Sequence, residues 1–151
     1  MKIGDKAPNI SLKDGDGNQW DLSDQKGKTV VLLFYPGDDT PVCTKQLCSV
    51  RDNWEDYKAT GAEVVGISTD SVGSHERFSA KYDLPLRLLS DETGSVVRDY
   101  GVGSWIPGKS ARAEVVIDKD GLIAHYNVQS LGIFKASDEE VIAAIEKANA
   151  K

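Results

Sequence analysis

The chain contains two cysteines, which lie five residues apart at Cys43 and Cys48. An apolar run at residues 29–35, typical of a buried strand, precedes them, and a loop that begins with Pro36 leads from this run to Cys43. A cysteine at the start of a helix lies close to unpaired N–H groups and to a partial positive charge, and both favour a thiolate. The pattern therefore predicts thiol chemistry in this part of the chain.

The spacing of the two cysteines is too wide for a disulfide within one regular helix. A rise of about 1.5 Å and a turn of about 100° per residue place the two Cα atoms about 8.6 Å apart. A disulfide requires a separation of about 7 Å or less. If the two thiols react with each other, the helix has to unwind locally, so we expect a folded helix in the reduced protein and a partly unwound one after oxidation.

The composition narrows the class of protein. The 151 residues are 40% hydrophobic, which suffices for one domain, residues 1–151, with its own core. The net charge of −6 argues against binding to nucleic acid or to an anionic membrane surface. No apolar run is long enough for a transmembrane helix, and the N-terminal residues lack the apolar segment of a secretory signal. Because two cysteines do not form a disulfide scaffold, a reducing, cytoplasmic location is expected, and the sequence leaves open whether a presequence was removed.

The order of the predicted elements is a β-hairpin, a βαβα unit, several short elements, a second β-hairpin and a final helix. Residues 14–18 and 118–121 have the composition of hairpin turns. The strands predicted at residues 29–35 and 63–68 are mostly apolar, as strands covered on both faces are. Residues 41–58 are predicted to form a helix between them. This order predicts an α/β protein with a thioredoxin-like fold, in which helices flank a mixed central sheet that carries an N-terminal β-hairpin.

The residues around the cysteines resemble the active-site motif of the peroxiredoxins. The motif is Pro36-x-x-x-Thr40-x-x-Cys43, and the second cysteine at Cys48 is similar to the arrangement in the peroxiredoxin Q, or bacterioferritin comigratory protein, subfamily. The resemblance extends over nearly the whole chain. It includes Arg51-Asp52, Gly66-Ile67-Ser68-x-Asp70-Ser71, Leu89-Ser90-Asp91, and Arg112 before Val115-Val116-Ile117-Asp118.

This resemblance implies a thioredoxin-dependent thiol peroxidase that uses neither a cofactor nor a metal. Cys43 would be the peroxidatic cysteine, which attacks hydrogen peroxide or an organic hydroperoxide. Cys48 would be the resolving cysteine, which forms an intramolecular Cys43–Cys48 disulfide. Thr40, Arg112 and Pro36 would complete the catalytic site, and thioredoxin or a similar dithiol protein would be the reductant. Since both cysteines lie in one chain and one helix, resolution needs no second subunit, and we expect a monomer.

The acidity of the thiol cannot by itself account for peroxidase activity. An ordinary cysteine has a pKa of about 8.5, so roughly 3% is thiolate at pH 7, and full ionisation gains only about thirty-fold in rate. The remainder has to come from orienting the peroxide and from stabilising the departing oxygen. Thr40 offers a hydroxyl that both accepts and donates, and Arg112 offers a fixed cation with several N–H donors. Pro36 stiffens the loop and removes one N–H group.

Simpler roles are open to the same residues. Cys48 would also fit a buried structural thiol, and Thr40 a helix N-cap. Arg112 without the motif would be an ordinary surface residue, and His75 an ordinary surface or core residue. Gln46 stands where the subfamily often has Glu. A Gln side chain can accept or donate a hydrogen bond, but it cannot act as an acid.

Two other functions also remain open on the sequence alone. One is a general disulfide oxidoreductase without peroxidase activity. The other is a redox-switched binding or holdase protein that uses the same helix unwinding. Rapid consumption of hydrogen peroxide by the reduced protein would distinguish the peroxidase from both.

Overall fold

The computed structural model describes residues 1–104, 106–129 and 137–150. In chain order its strands are β1 Ser11–Asp14, β2 Gln19–Asp21, β3 Val30–Phe34, β4 Glu63–Ser68, β5 Arg87–Ser90, β6 Arg112–Ile117 and β7 Ile123–Gln129. Its α-helices are α1 Pro41–Asp52, α2 Trp54–Ala59, α3 Val72–Tyr82, α4 Ser95–Asp99 and α5 Asp138–Asn149, and a 3-10 turn spans Leu22–Gln25.

The described strands form one mixed sheet of seven in the order β2-β1-β5-β4-β3-β6-β7. Strand β4 pairs in parallel with both β3 and β5, as expected for strands joined through helices. The hairpin β6–β7 is antiparallel, and β6 also pairs antiparallel with β3. The N-terminal hairpin β1–β2 extends the same sheet, because β1 pairs antiparallel with β5. The predicted mixed α/β sheet is therefore confirmed.

Two apolar cores lie on opposite faces of this sheet. The side chains of β3 alternate between them, and every residue of this strand is buried. One core packs against α4, through Val96 and Val97. The other contains Cys43 and packs against α1, α2, α3 and α5. Among the described residues, no helix combines the length and the apolar character needed to cross a bilayer.

The predicted single helix over residues 41–58 is wrong in one respect, because the structure divides it into α1 and α2 at Asn53. The Asn53 side chain donates to the Ser49 carbonyl oxygen at 2.9 Å and to Asp138 Oδ2 at 3.1 Å. The break is therefore fixed by a contact with the start of α5, far along the chain. Local helical periodicity carries no information about such a contact.

Candidate active site

The topology collects the predicted functional residues at one edge of the sheet. Strands β3 and β4 run parallel and so end at this edge, whereas β6 runs antiparallel to β3 and begins there. The loop of residues 36–40 leaves the edge and enters α1. Arg112, as the first residue of β6, is thereby returned to the start of the helix that carries Cys43.

Cys43 is the third residue of α1, and its side chain is 0% exposed. Pro41 takes the first helical position, where the missing N–H costs no helical hydrogen bond. The preceding residue, Thr40, has extended backbone angles, and its carbonyl oxygen accepts the hydrogen bond from Thr44 N at 2.8 Å. The N–H groups of the first turn and the positive end of the helix dipole therefore lie where a Cys43 thiolate would carry its charge.

Both cysteines are free and belong to the unbroken helix α1. Cys43 is buried, and Cys48 is partly exposed. The structure thus has the reduced, helical arrangement expected from the spacing. Unwinding on oxidation stays a prediction.

Arg112 is buried, with 2% of its surface exposed, so the simpler expectation of a surface residue is wrong. Its Nη2 donates to Cys43 Sγ at 3.3 Å, and its Nη1 donates to Gln46 Oε1 at 2.5 Å. Gln46 lies one helical turn beyond Cys43, on the same face of α1. Gln46 therefore acts as a neutral acceptor that holds the guanidinium beside the sulfur.

Thr40 occupies the N-cap position without making the N-cap hydrogen bond. Its hydroxyl instead donates to the Gly37 carbonyl oxygen at 3.1 Å, and no backbone N–H of α1 bonds to its side chain. A hydroxyl has one proton and two lone pairs, so this contact leaves Oγ1 as an acceptor on its exposed side. Pro36 is half-buried at the start of the same loop. The sequence predicts that the Thr40 hydroxyl both donates to and accepts from a substrate. In this conformation its proton is used by Gly37, so the hydroxyl can only accept.

A buried polar cluster beneath the loop went unpredicted. Asp38 Oδ2 lies 2.8 Å from His75 Nδ1, and Asp38 also accepts from the Tyr35 hydroxyl at 2.6 Å and the Ser74 hydroxyl at 2.8 Å. Burial alone would raise the pKa of Asp38, but the hydrogen bonds from His75 and Tyr35 outweigh it and lower the pKa below its usual value. The signal in the sequence was the pair of adjacent aspartates inside the motif loop.

The hydrogen-bond partners of the His75 ring nitrogens constrain the position of the imidazole proton. His75 Nε2 lies 2.9 Å from the Leu89 carbonyl oxygen, which can only accept, so Nε2 carries a proton. Nδ1 faces the Asp38 carboxylate at 2.8 Å. Burial and the nearby Asp38 raise the pKa of Tyr35 well above its usual value, which keeps its hydroxyl a donor. The cluster thus fixes the motif loop to the first turn of α3 through buried hydrogen bonds.

The next residue of the loop makes a second, exposed tether to the same helix. Asp39 has a positive φ of 59° and accepts from Lys81 Nζ at 3.1 Å and from the Tyr82 hydroxyl at 3.1 Å. Arg51, near the end of α1, donates to the Tyr82 carbonyl oxygen at 2.7 Å. Both ends of α3 therefore hold the segment that carries the motif.

Over residues 1–104, 106–129 and 137–150, the side chains form no group of three or more His, Cys, Asp or Glu that could hold a metal ion. The polar groups around Cys43 are a guanidinium, a carboxamide and a hydroxyl. These groups suit a small polar substrate at the sulfur.

Comparison with known proteins identifies the family of this chain. The family model described as AhpC/TSA matches residues 3–126. The chain belongs to the AhpC/TSA family. A chloroplastic peroxiredoxin Q from Triticum aestivum is 51% identical over 128 residues, which are 83% of this chain and 59% of that protein. A chloroplastic peroxiredoxin Q from Sedum lineare is 50% identical over 121 residues, which are 80% of this chain and 65% of that protein. The chain thus spans about three fifths of the length of the curated relatives that it matches.

A solved structure supports this assignment over nearly the whole length of the chain. The crystal structure of peroxidoxin BcpB from Mycobacterium tuberculosis matches with a TM-score of 0.85 and 33% identity, covering 97% of each chain. The resemblance to the peroxiredoxin Q, or bacterioferritin comigratory protein, subfamily is therefore confirmed. The thioredoxin-like fold is confirmed with it, because the structural neighbours of this AhpC/TSA protein are peroxiredoxins.

Proposed function

We propose that this chain is a thiol peroxidase that reduces hydrogen peroxide and organic hydroperoxides. The observation that carries the proposal is the 3.3 Å hydrogen bond from Arg112 Nη2 to Cys43 Sγ at the start of α1. A buried cation at this distance favours the thiolate, and the interaction is strong because the sulfur is shielded from water. The peroxiredoxin Q names of the curated relatives support the same activity.

In the proposed first step, the Cys43 thiolate attacks the nearer oxygen of the peroxide. The S–O bond forms as the O–O bond breaks, and the departing oxygen leaves as hydroxide or alkoxide and takes up a proton. The Arg112 N–H groups stabilise the charge that develops on the reacting oxygens, and the Thr40 hydroxyl orients the peroxide by accepting from its O–H group. The product is a sulfenic acid on Cys43 and water or an alcohol.

In the proposed second step, the Cys48 thiol condenses with this sulfenic acid, forming the disulfide and releasing water. A dithiol reductant such as thioredoxin then restores both thiols by disulfide exchange. Because both cysteines belong to α1, the cycle needs one chain, and we propose a monomer.

The surroundings of α1 explain how it can open without global unfolding. Its C-terminal end is held at the start of α5, where Ser49, Asn53 and Tyr57 all donate to the carboxylate of Asp138. This anchored part begins directly after Cys48. Unwinding between the two cysteines therefore leaves the attachment of α1 to the rest of the protein in place, and local opening costs less than global unfolding.

The test of the proposed function is the reaction of the reduced protein with hydrogen peroxide, followed by stopped-flow tryptophan fluorescence. Trp54 begins α2 directly after α1 and packs against the core that contains Cys43, so its emission should report both oxidation and unwinding. We expect a fast phase that depends on peroxide concentration, and no such phase in Cys43→Ser. The Trp54→Phe variant is the control, since it should lose the signal while still consuming peroxide.

Slow reaction with peroxide combined with rapid exchange with dithiols would contradict the proposal and favour a general disulfide oxidoreductase. Protection of unfolding client proteins by the oxidised form alone would favour a redox-switched holdase. A cytoplasmic location stays a prediction and would be tested by fractionation of cells that express the complete protein.

A further inference from the structure

Asp70 is a carboxylate beside the candidate active site for which the reaction proposed above has no use. It follows β4, whose C-terminal end lies next to that of β3 because the two strands are parallel. Its Oδ2 accepts from Asp38 N at 2.8 Å and from the Ser68 hydroxyl at 2.6 Å. The carboxylate therefore contacts the motif loop through a main-chain N–H group.

The N–H group that Asp70 holds belongs to the peptide unit between Gly37 and Asp38. The carbonyl oxygen of this same unit, on Gly37, accepts from the Thr40 hydroxyl at 3.1 Å. A continuous chain of hydrogen bonds thus runs from the carboxylate, across one peptide group, to the hydroxyl of Thr40, three residues before the reactive cysteine. The peptide has little freedom to rotate, since the Asp38 side chain is fixed separately by Tyr35 and His75.

Hydrogen bonds in such a chain polarise one another. A negative charge at the N–H end of a peptide increases the electron density on its carbonyl oxygen. That oxygen then binds the Thr40 proton more strongly, which fixes the orientation of the hydroxyl and makes Oγ1 a better acceptor. This orientation of the Thr40 hydroxyl suits the attack on a peroxide, because the O–H group of the peroxide needs an acceptor in a defined position.

We propose that Asp70 is a positioning residue of the peroxide site, which acts through the Gly37–Asp38 peptide to hold the Thr40 hydroxyl as an acceptor for the substrate. The proposal rests on the peroxidase function proposed above. The step that it assists is the orientation of peroxide before attack. Stabilisation of the Cys43 thiolate remains the proposed role of Arg112.

The test is a double-mutant cycle between Asp70→Asn and Thr40→Val, read as the second-order rate constant with hydrogen peroxide. Asn retains an oxygen that can accept from Asp38 N and Ser68, so the variant removes the charge and keeps the shape. We expect Asp70→Asn to lower the rate about tenfold and Thr40→Val about a hundred-fold. In the Thr40→Val background, Asp70→Asn should have no further effect, since the residue that transmits its influence is gone.

Two further measurements separate positioning from general damage. Alkylation of Cys43 by iodoacetamide needs a thiolate but no acceptor for a peroxide proton, so its rate should be unchanged in Asp70→Asn. Glu76→Gln is the control, because it removes one charge at an exposed position of α3 outside the motif loop and should retain the wild-type peroxide rate.

Equal peroxide rates of the wild type and Asp70→Asn would overturn the inference and leave the peroxidase function in place. A tenfold loss of rate on adding Asp70→Asn to Thr40→Val would have the same meaning. A wild-type protein that reacts slowly with peroxide would instead overturn the function itself. Should Asp70→Asn fail to fold, the amide proton of Asp38 in wild-type NMR spectra decides. It should lie far downfield, as a hydrogen bond to a charged carboxylate requires, and an ordinary position would overturn the inference.

Discussion

Arg112 Nη1 donates to Gln46 Oε1 at 2.5 Å, while Nη2 of the same guanidinium donates to Cys43 Sγ. A carboxamide holds the cation in place without adding a negative charge beside the sulfur. A carboxylate at residue 46 would make the same contact and would add that charge. The identity of residue 46 therefore affects how strongly the Arg112 charge acts on the thiolate.

Replacement of Gln46 by Glu tests this relationship. We expect Gln46→Glu to keep the fold, to reduce the thiolate fraction at neutral pH, and to lower the peroxide rate several-fold, by about three to ten times. The thiolate fraction is measured by its ultraviolet absorbance and by the alkylation rate. Gln46→Met, of similar length and uncharged, is the control that loses the hydrogen bond alone. A rate with Glu equal to that of the wild type would contradict the argument.

Arg112→Lys keeps a positive charge but loses the planar arrangement of donors that reaches Cys43 and Gln46 together. Loss of one preorganised donor costs about 2.7–4 kcal/mol, so we expect a fall of about a hundred-fold in the rate with hydrogen peroxide. Stopped-flow oxidation of the reduced variant measures this rate. A change of only a few-fold would show that Arg112 does not stabilise the transition state.

The two cysteines should separate cleanly by their roles in the cycle. Cys43→Ser should abolish peroxide consumption, because it removes the thiolate at the start of α1. Cys48→Ser should retain the first oxidation, accumulate a sulfenic acid on Cys43, and over-oxidise more readily since no second thiol traps it. A sulfenic-acid reagent with detection by mass spectrometry locates the oxidised residue. Labelling of residue 48 in Cys43→Ser would reverse the assignment.

Oxidation should unwind α1 between its cysteines and leave its anchored end folded. Hydrogen exchange should increase for the amides of residues 42–50, whereas β3 and β4 and the amide of Asn53, beside the contact with Asp138, should stay protected. Exchange mass spectrometry of the reduced and oxidised protein measures both regions. An intramolecular disulfide with unchanged protection at residues 42–50 would rule out the unwinding mechanism.

Stability at low pH should depend on the buried pair of Asp38 and His75. The pKa of Asp38 is lowered in the folded protein, so its contribution is complete above the unfolded value of about 3.9 and is lost as the pH falls through the folded pKa. Asp38→Asn has no carboxylate to titrate. The difference in unfolding free energy between wild type and Asp38→Asn should therefore be largest above about pH 4 and should shrink below it.

Urea unfolding at several pH values measures this difference. Glu76→Gln serves as the control, since it removes an exposed carboxylate of α3. A difference between wild type and Asp38→Asn that stays constant across this pH range would show that the charge on Asp38 does not contribute to stability.

Much of the fold was predictable because it follows from local pattern. The apolar runs at β3 and β4 predicted two buried strands, and Glu63–Ser68 was predicted with the bounds that the structure has. A final helix was predicted after the second hairpin, and the structure has α5 there, with the Ser137 hydroxyl accepting from Glu140 N at its start. The break at Asn53 was missed, since its cause is a contact with Asp138 across the tertiary structure.

The local sequence predicts thiol chemistry at Cys43 and Cys48. A cysteine behind a strand and a Pro-containing loop specifies a thiol at a helix start, and a spacing of five residues specifies that any disulfide with Cys48 requires unwinding. These conclusions need helix geometry alone, because they concern residues close together in the chain.

The surroundings of that thiol depend on how distant parts of the chain pair and pack. Arg112 reaches Cys43 because β6 pairs antiparallel with β3, and Asp70 reaches the motif loop because β4 pairs parallel with β3. Strand order and direction follow from the packing of the whole chain, and a local pattern of residues does not encode them. The burial of Arg112 and the polar cluster beneath the loop both depend on that pairing.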